Sequence, residues 1–101
     1  MPNSKLIAYV LPGVISNGEM ETLVANSLDE LKFDLNRTSS DSVYEISSNG
    51  GFFSLYNQVS FRETIAKKVG KFKNISEKDI ENMFIGKYSY KKIAKGNIFN
   101  S

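Results

Sequence analysis

The stretch SNGEMETLVANSLDEL, residues 16–31, decides how the chain is read. Ser16 and Glu19 have the spacing of a capping box, in which each side chain satisfies a backbone N–H that a helix start leaves free. Ile15 and Met20 flank the box as a hydrophobic staple. Met20, Leu23, Val24, Leu28 and Leu31 then recur at helical spacing, while Glu21, Asn26, Asp29 and Glu30 lie off that stripe. The pattern predicts an amphipathic helix from Ser16 to Leu31.

Working outward, residues 5–11 form a nearly continuous apolar run of strand formers that ends at Pro12-Gly13, and they read as a buried first strand. Downstream, Phe33-Asp34-Leu35 either extends the helix or opens a short strand, and residues 37–42 are a loop by composition. Val43–Ile46 and Phe52–Tyr56 flank Ser48-Asn49-Gly50-Gly51, which predicts a hairpin. A capping box at Ser60/Glu63 opens a helix with Phe61, Ile65 and Val69 on one stripe and Gly70 at its end. A further box at Ser76/Asp79, with Ile75/Ile80 as its staple, opens another whose stripe is Ile80, Met83 and Phe84, stopped by Gly86. In the tail, Tyr88 and Tyr90 alternate as in a strand, whereas residues 92–96 suit a helix, so 87–99 stays open between the two. The expected fold is a single α+β domain over residues 1–101, with an antiparallel sheet of three to four strands and two to three helices.

Composition narrows the chemistry. The 101 residues include no cysteine and no histidine. That removes disulfides, thiolate nucleophiles, the common zinc sites and the side chain most used for proton transfer near neutral pH. No metal or other cofactor is expected. Lysine far outnumbers arginine, the usage of AT-rich coding sequence often found in phages and mobile elements. No apolar run reaches the roughly 20 residues a membrane span needs. Leu6–Ile15 has the length of a signal-peptide core, but Pro12-Gly13 interrupts it and no cleavage signal follows, so the expected location is cytoplasmic.

The net charge of +2 hides an asymmetry. Residues 1–51 carry three basic against seven acidic residues, a net of −4; residues 52–101 carry ten against four, a net of +6. Glu21, Asp29, Glu30 and Asp34 form the acidic face of the first half. The basic residues gather in two clusters, Lys67, Lys68, Lys71 and Lys73 around Phe72, and Lys87, Lys91, Lys92 and Lys95 around Tyr88 and Tyr90. Lysines among aromatic rings suit a phosphate backbone with exposed bases. Ile65-Ala66 and Val69-Gly70 match the first helix of a helix-turn-helix, but Glu77, Asp79 and Glu81 would then face phosphates. Shifting the frame would make Tyr88–Lys95 the reading helix.

Paired carboxylates elsewhere are explained by solvation or by helix dipoles, and no nucleotide- or calcium-binding loop motif occurs. The leading expectation is a small, non-enzymatic binding protein, an inhibitor or adaptor of the phage anti-defence or toxin-immunity type. Such a protein occludes a charged surface of a host protein or nucleoprotein. The alternatives are a nucleic-acid-binding module using the basic half, and a histidine-free ribonuclease built on Glu45, Arg62 and a lysine or tyrosine from residues 88–92.

Overall fold

Asn17 and Gly18 hold left-handed backbone angles, φ 51° and 80°. They turn the chain back on itself in a computed structural model that describes residues 6–49, 57–70 and 75–99. Two successive positive φ values make the tight turn whose twist suits an antiparallel pair, and Asn-Gly is the dipeptide that adopts them most easily. Strand β1 (Ile7–Ser16) therefore runs directly into β2 (Glu19–Ala25). The helix expected from Ser16 to Leu31 is replaced by this hairpin and, after it, a short 3-10 turn over Asp29–Leu31. The first strand accordingly runs five residues past its expected end at Leu11. A second 3-10 turn covers Asp34–Asn36, where a helix extension or a strand was expected.

The remaining elements are β3 (Ser42–Ser48), α1 (Gln58–Val69), α2 (Glu77–Met83), β4 (Tyr88–Ala94) and α3 (Lys95–Phe99). Residues 87–99 thus hold both a strand and a helix. The four strands form one antiparallel sheet in the order β2-β1-β3-β4. Together with three helices this is the α+β architecture expected. The second arm of the predicted hairpin, Phe52–Tyr56, lies outside the described residues; β3 pairs with β1 and β4.

Helix starts follow the local rules, with one shift. At α2 the box closes as read: the Asp79 N–H donates to Ser76 Oγ at 3.1 Å and the Ser76 N–H to Asp79 Oδ2 at 2.8 Å. At α1 the cap is Asn57, whose Oδ1 accepts the Ser60 N–H at 2.8 Å, so Ser60 sits inside the first turn instead of opening it. Among the described residues no helix is long and apolar enough to cross a membrane.

Each face of the sheet buries a separate cluster. On one, Ala8, Val10, Tyr44 and Ile46 meet Phe61, Ile65 and Val69 of α1, Ile80 of α2, Phe84 at its end, and Tyr88. The Phe84 and Tyr88 rings pack edge to face, centroids 5.4 Å apart. On the other, Leu11, Val14, Ala25 and Val43 meet Leu31 and Leu35 of the 3-10 turns and Ile98 of α3. Burying each of these large side chains stabilises the fold by about 1.5–3 kcal/mol.

β1 changes partners midway. It pairs with β3 only over Ile7–Val10, and its register with β2 slips between Leu11 and Val14. Past that bulge the Ile15 N–H donates to the Arg37 carbonyl and the Ser39 N–H to the Gly13 carbonyl, both at 2.9 Å. Gly13 has φ +69°, and a Cβ there would lie 2.5 Å from Ser39 Oγ. Strain and collision therefore coincide at this position. Gly13→Ala is expected to cost about 2 kcal/mol or more, the left-handed penalty plus the clash. Gly96→Ala, in α3 with nothing within 4 Å of the new methyl, is expected to be neutral or stabilising by about 0.5–1 kcal/mol. Urea unfolding of the two variants checks the contrast; equal stabilities would contradict the bulge geometry.

Candidate functional site

Strand geometry divides the basic tail cluster. Side chains alternate along β4, so Tyr88, Tyr90 and Lys92 share one face and Lys91 takes the other with Ile93. Tyr88 is 8% exposed, its ring enclosed by Phe61 and Phe84, and so it offers no platform for a base. Lys68 lies over that ring, 5.5 Å from its centroid. Tyr90 is half-exposed, its ring 6.4 Å from Tyr44. Lys67, Lys87 and Lys91 are exposed and Lys95 is partly so. Lys71, Phe72 and Lys73 lie outside the described residues. Because Tyr88–Ala94 is a strand, the shifted helix-turn-helix frame has no reading helix.

Lys92 is engaged at the mouth of a polar cleft. The cleft, about 300 Å³, lies between the bulge at Pro12-Gly13, residues 39–42, Tyr44, Ile75, Glu77 and Lys92. Glu77 Oε2 accepts from Lys92 Nζ at 2.8 Å and from the Tyr44 hydroxyl at 3.2 Å. The Lys92 hydrogen bond, more than any other cause, holds the Glu77 carboxyl below its ordinary pKa, and Glu77 in turn raises Lys92. Burial, reinforced by Glu77, pushes Tyr44 up to about 12. All three shifts lead away from neutrality, opposite to the tuning that proton transfer at pH 7 requires. The trio is a latch joining α2 to β3 and β4.

The acidic residues divide as well. Glu21 lies exposed on β2. Asp29 pairs with Lys32 at 3.1 Å, Asp34 pairs with Arg37, and Glu30 accepts from the Asn26 N–H and the Ser27 hydroxyl at 3.4 Å. Among them stands Phe33, 72% exposed, with the Arg37 guanidinium 5.0 Å from its ring centroid. Sequence reasoning passed over Phe33 as a residue of uncertain element. Its signal was available: with Leu31 and Leu35 turned inward, a helical stretch must turn the residue between them outward.

The residues of the ribonuclease reading are brought together only in part: Glu45 stands opposite Lys91 in the register of β3 and β4, and Arg62 lies away from both. Glu45 accepts the Tyr9 hydroxyl at 3.1 Å on the side of the sheet opposite α1, while Arg62 of α1 donates to the Val24 carbonyl at 3.1 Å. Burial first, then Glu45, raises the Tyr9 pKa. Among the described residues no group of three carboxylates is placed to hold a metal ion. No protein-family model matches the chain, and neither a curated protein nor a solved structure matches it.

The latch makes stability depend on pH at both extremes. The Tyr44 contribution is whole below pH 10, the ordinary tyrosine value, and is lost as pH rises through about 12. Lys92, raised in the fold, loses its contribution in the same direction from 10.5 upward. Glu77, lowered in the fold, contributes above 4.5 and loses that contribution as pH falls through its depressed pKa. Tyr44→Phe should cost about 1 kcal/mol at neutral pH and flatten the alkaline limb, leaving the parts due to Lys92 and Tyr9. An unchanged alkaline limb in urea midpoints measured against pH would show that the latch does not form.

Proposed function

We propose that this chain is a small binding protein, an inhibitor or adaptor, that docks Phe33 and its neighbouring carboxylates on a basic surface of a partner protein. The observation that carries the reading is the 72% exposure of a large aromatic ring on well-anchored backbone. Leu31 and Leu35, at 2% and 1% exposure, fix the turns on either side of Phe33. Arg37 stacks on the ring while Asp34 holds Arg37. A ring held this way loses little rotamer freedom on binding, and burying it supplies about 1.5–3 kcal/mol. Aromatic and arginine side chains are also the usual centres of binding energy at interfaces.

The charges choose the partner. Asp29, Glu30 and Asp34 outnumber Lys32 and Arg37 around the ring, and Glu19 and Glu21 on β2 add to the same sign. The exposed Lys32–Asp29 pair is worth little, so a partner's lysines and arginines can replace Lys32. A basic surface that ordinarily meets nucleic acid fits this description. Covering it is how an anti-defence or immunity protein would act.

A second reading rests on β4. Lys91 is exposed and unpaired among the described residues, with Lys87 and Lys95 beside it in the chain, and Tyr90 offers a half-exposed ring. This is a narrower nucleic-acid surface than the sequence implied, since Tyr88 is buried and Lys92 neutralised.

Phe33→Ala and Lys91→Glu separate the two readings, and both positions lie outside the core. Phe33→Ala should weaken retention of one basic host protein at least tenfold, while thermal unfolding stays that of the parent. Lys91→Glu should leave that retention intact. A gel shift at low salt that Lys91→Glu abolishes and Phe33→Ala does not would overturn the leading reading in favour of nucleic-acid binding.

A further inference from the structure

We infer that β2 takes up an extended, lysine- or arginine-bearing segment of a partner protein as an added strand, whose alternate side chains enter a groove beside the end of α1. Among the described residues β2 pairs only with β1, so its other edge ends the sheet. Strand alternation fixes which backbone groups that edge presents. Ser16 and Glu19 close the two-residue turn and so bond to each other. At the next pair, Ile15 sends its N–H to the Arg37 carbonyl instead of to Met20. Farther along, the Val24 carbonyl accepts from Arg62 and so faces away from β1. Met20, Thr22 and Val24 therefore turn their N–H and C=O groups outward, and at Met20 and Thr22 no described residue meets them. A strand bound to such an edge gains affinity through its main chain and specificity through alternate side chains.

The edge has a helix beside it. Arg62 reaches the Val24 end of β2, while Val69 and Gly70, at the other end of α1, stand with Met20 and Thr22 around a groove of about 310 Å³. Gly70 brings no side chain to this gap, so the helix end leaves it open. Met20 and Thr22 share the face of Val24, which packs toward α1. Side chains of an added strand that lie opposite Met20 and Thr22 point to the same face and enter the groove. Met20 and Val69 line it on its apolar side, and Ile15, 44% exposed, stands level with Met20.

The charge of the edge selects the occupant. Glu19 and Glu21 are exposed, lie on the other face of β2 and make no ion pair among the described residues. A residue of the added strand directly opposite either one is its nearest cross-strand neighbour, where opposite charge is favourable and like charge is not. The segment that fits therefore alternates a basic residue with a small apolar one. A second copy of this chain paired β2 to β2 would set glutamate beside glutamate, which is disfavoured. The ladder is short, since Arg62 already holds the Val24 carbonyl. Phe33 is neither on β2 nor in the groove, so the inference does not rest on the docking reading above.

Amide exchange followed by NMR on the full chain tests this, with a blocked peptide of alternating lysine and valine as the probe. The peptide is expected to slow exchange at Met20 and Thr22. N-methylating its valines, which removes the N–H groups that would bond to β2, should weaken binding at least about tenfold. Replacing both carboxylates, Glu19→Lys with Glu21→Lys, should exchange the preference for one toward a glutamate–valine peptide. Phe33→Ala should bind the probe like the parent. No protection at millimolar peptide, equal binding of the methylated peptide, or loss of binding in Phe33→Ala would each overturn the inference. Protection of Met20 and Thr22 that grows with protein concentration alone would assign the edge to a second copy and overturn it as well.

Discussion

The left-handed backbone at Gly13 is the constraint from which the rest of the molecule follows. β1 lies inside the sheet and must serve three neighbours: β2 along its length, β3 over its first half, and residues 37–39 beyond the bulge. A regular strand offers only two edges and one register on each. The slip between Leu11 and Val14 keeps both of those side chains in the second core while β1 exchanges β3 for the chain at Thr38. A Cβ at position 13 would force the Ser39 hydroxyl aside, and the left-handed φ there strains any residue but glycine.

Both surface features follow from that exchange. Tying residues 37–39 to β1 anchors the exit of the 3-10 turns, which holds Leu31 and Leu35 inward and leaves Phe33 outside. Releasing β1 from β3 opens the gap that becomes the polar cleft, and the Tyr44-Glu77-Lys92 latch spans its far side. The bulge therefore separates the exposed Phe33 ring on one face from a self-satisfied polar cluster on the other.

How much of this was legible in the sequence depended on how local each signal was. The Ser76/Asp79 box and the Phe61, Ile65, Val69 stripe formed as read, because capping and helical spacing are settled within one or two turns. Residues 16–31 misled because two local signals conflict there: the Ser16/Glu19 spacing favours a helix start, and Asn17-Gly18 favours a hairpin. A glycine two residues into a helix costs about 1 kcal/mol, whereas at the turn it is what the geometry requires. The alternation of β2 was hidden because both its faces are partly covered: Val24 packs toward α1, and Leu23 and Ala25 toward the 3-10 turns. The adjacent apolar residues Leu23, Val24 and Ala25 break the alternation that Glu19–Glu21 begins, and with Met20 they fit a helical stripe. The lysine clusters were legible as composition but not as surfaces, since only pairing with β3 fixes which way each residue of β4 points.

The order of strands in space has a consequence for synthesis. β3 lies between β1, made before it, and β4, whose first residue follows the last of β3 by forty positions. At roughly 5–20 residues per second on a ribosome, that interval is about 2–8 s. Until then β3 lacks the ladder that β4 supplies in the finished sheet. Ser42, Ser47 and Ser48, interspersed with Val43, Tyr44 and Ile46 and buried in the finished sheet, reduce the stickiness of this growing intermediate while the last strand is still being made.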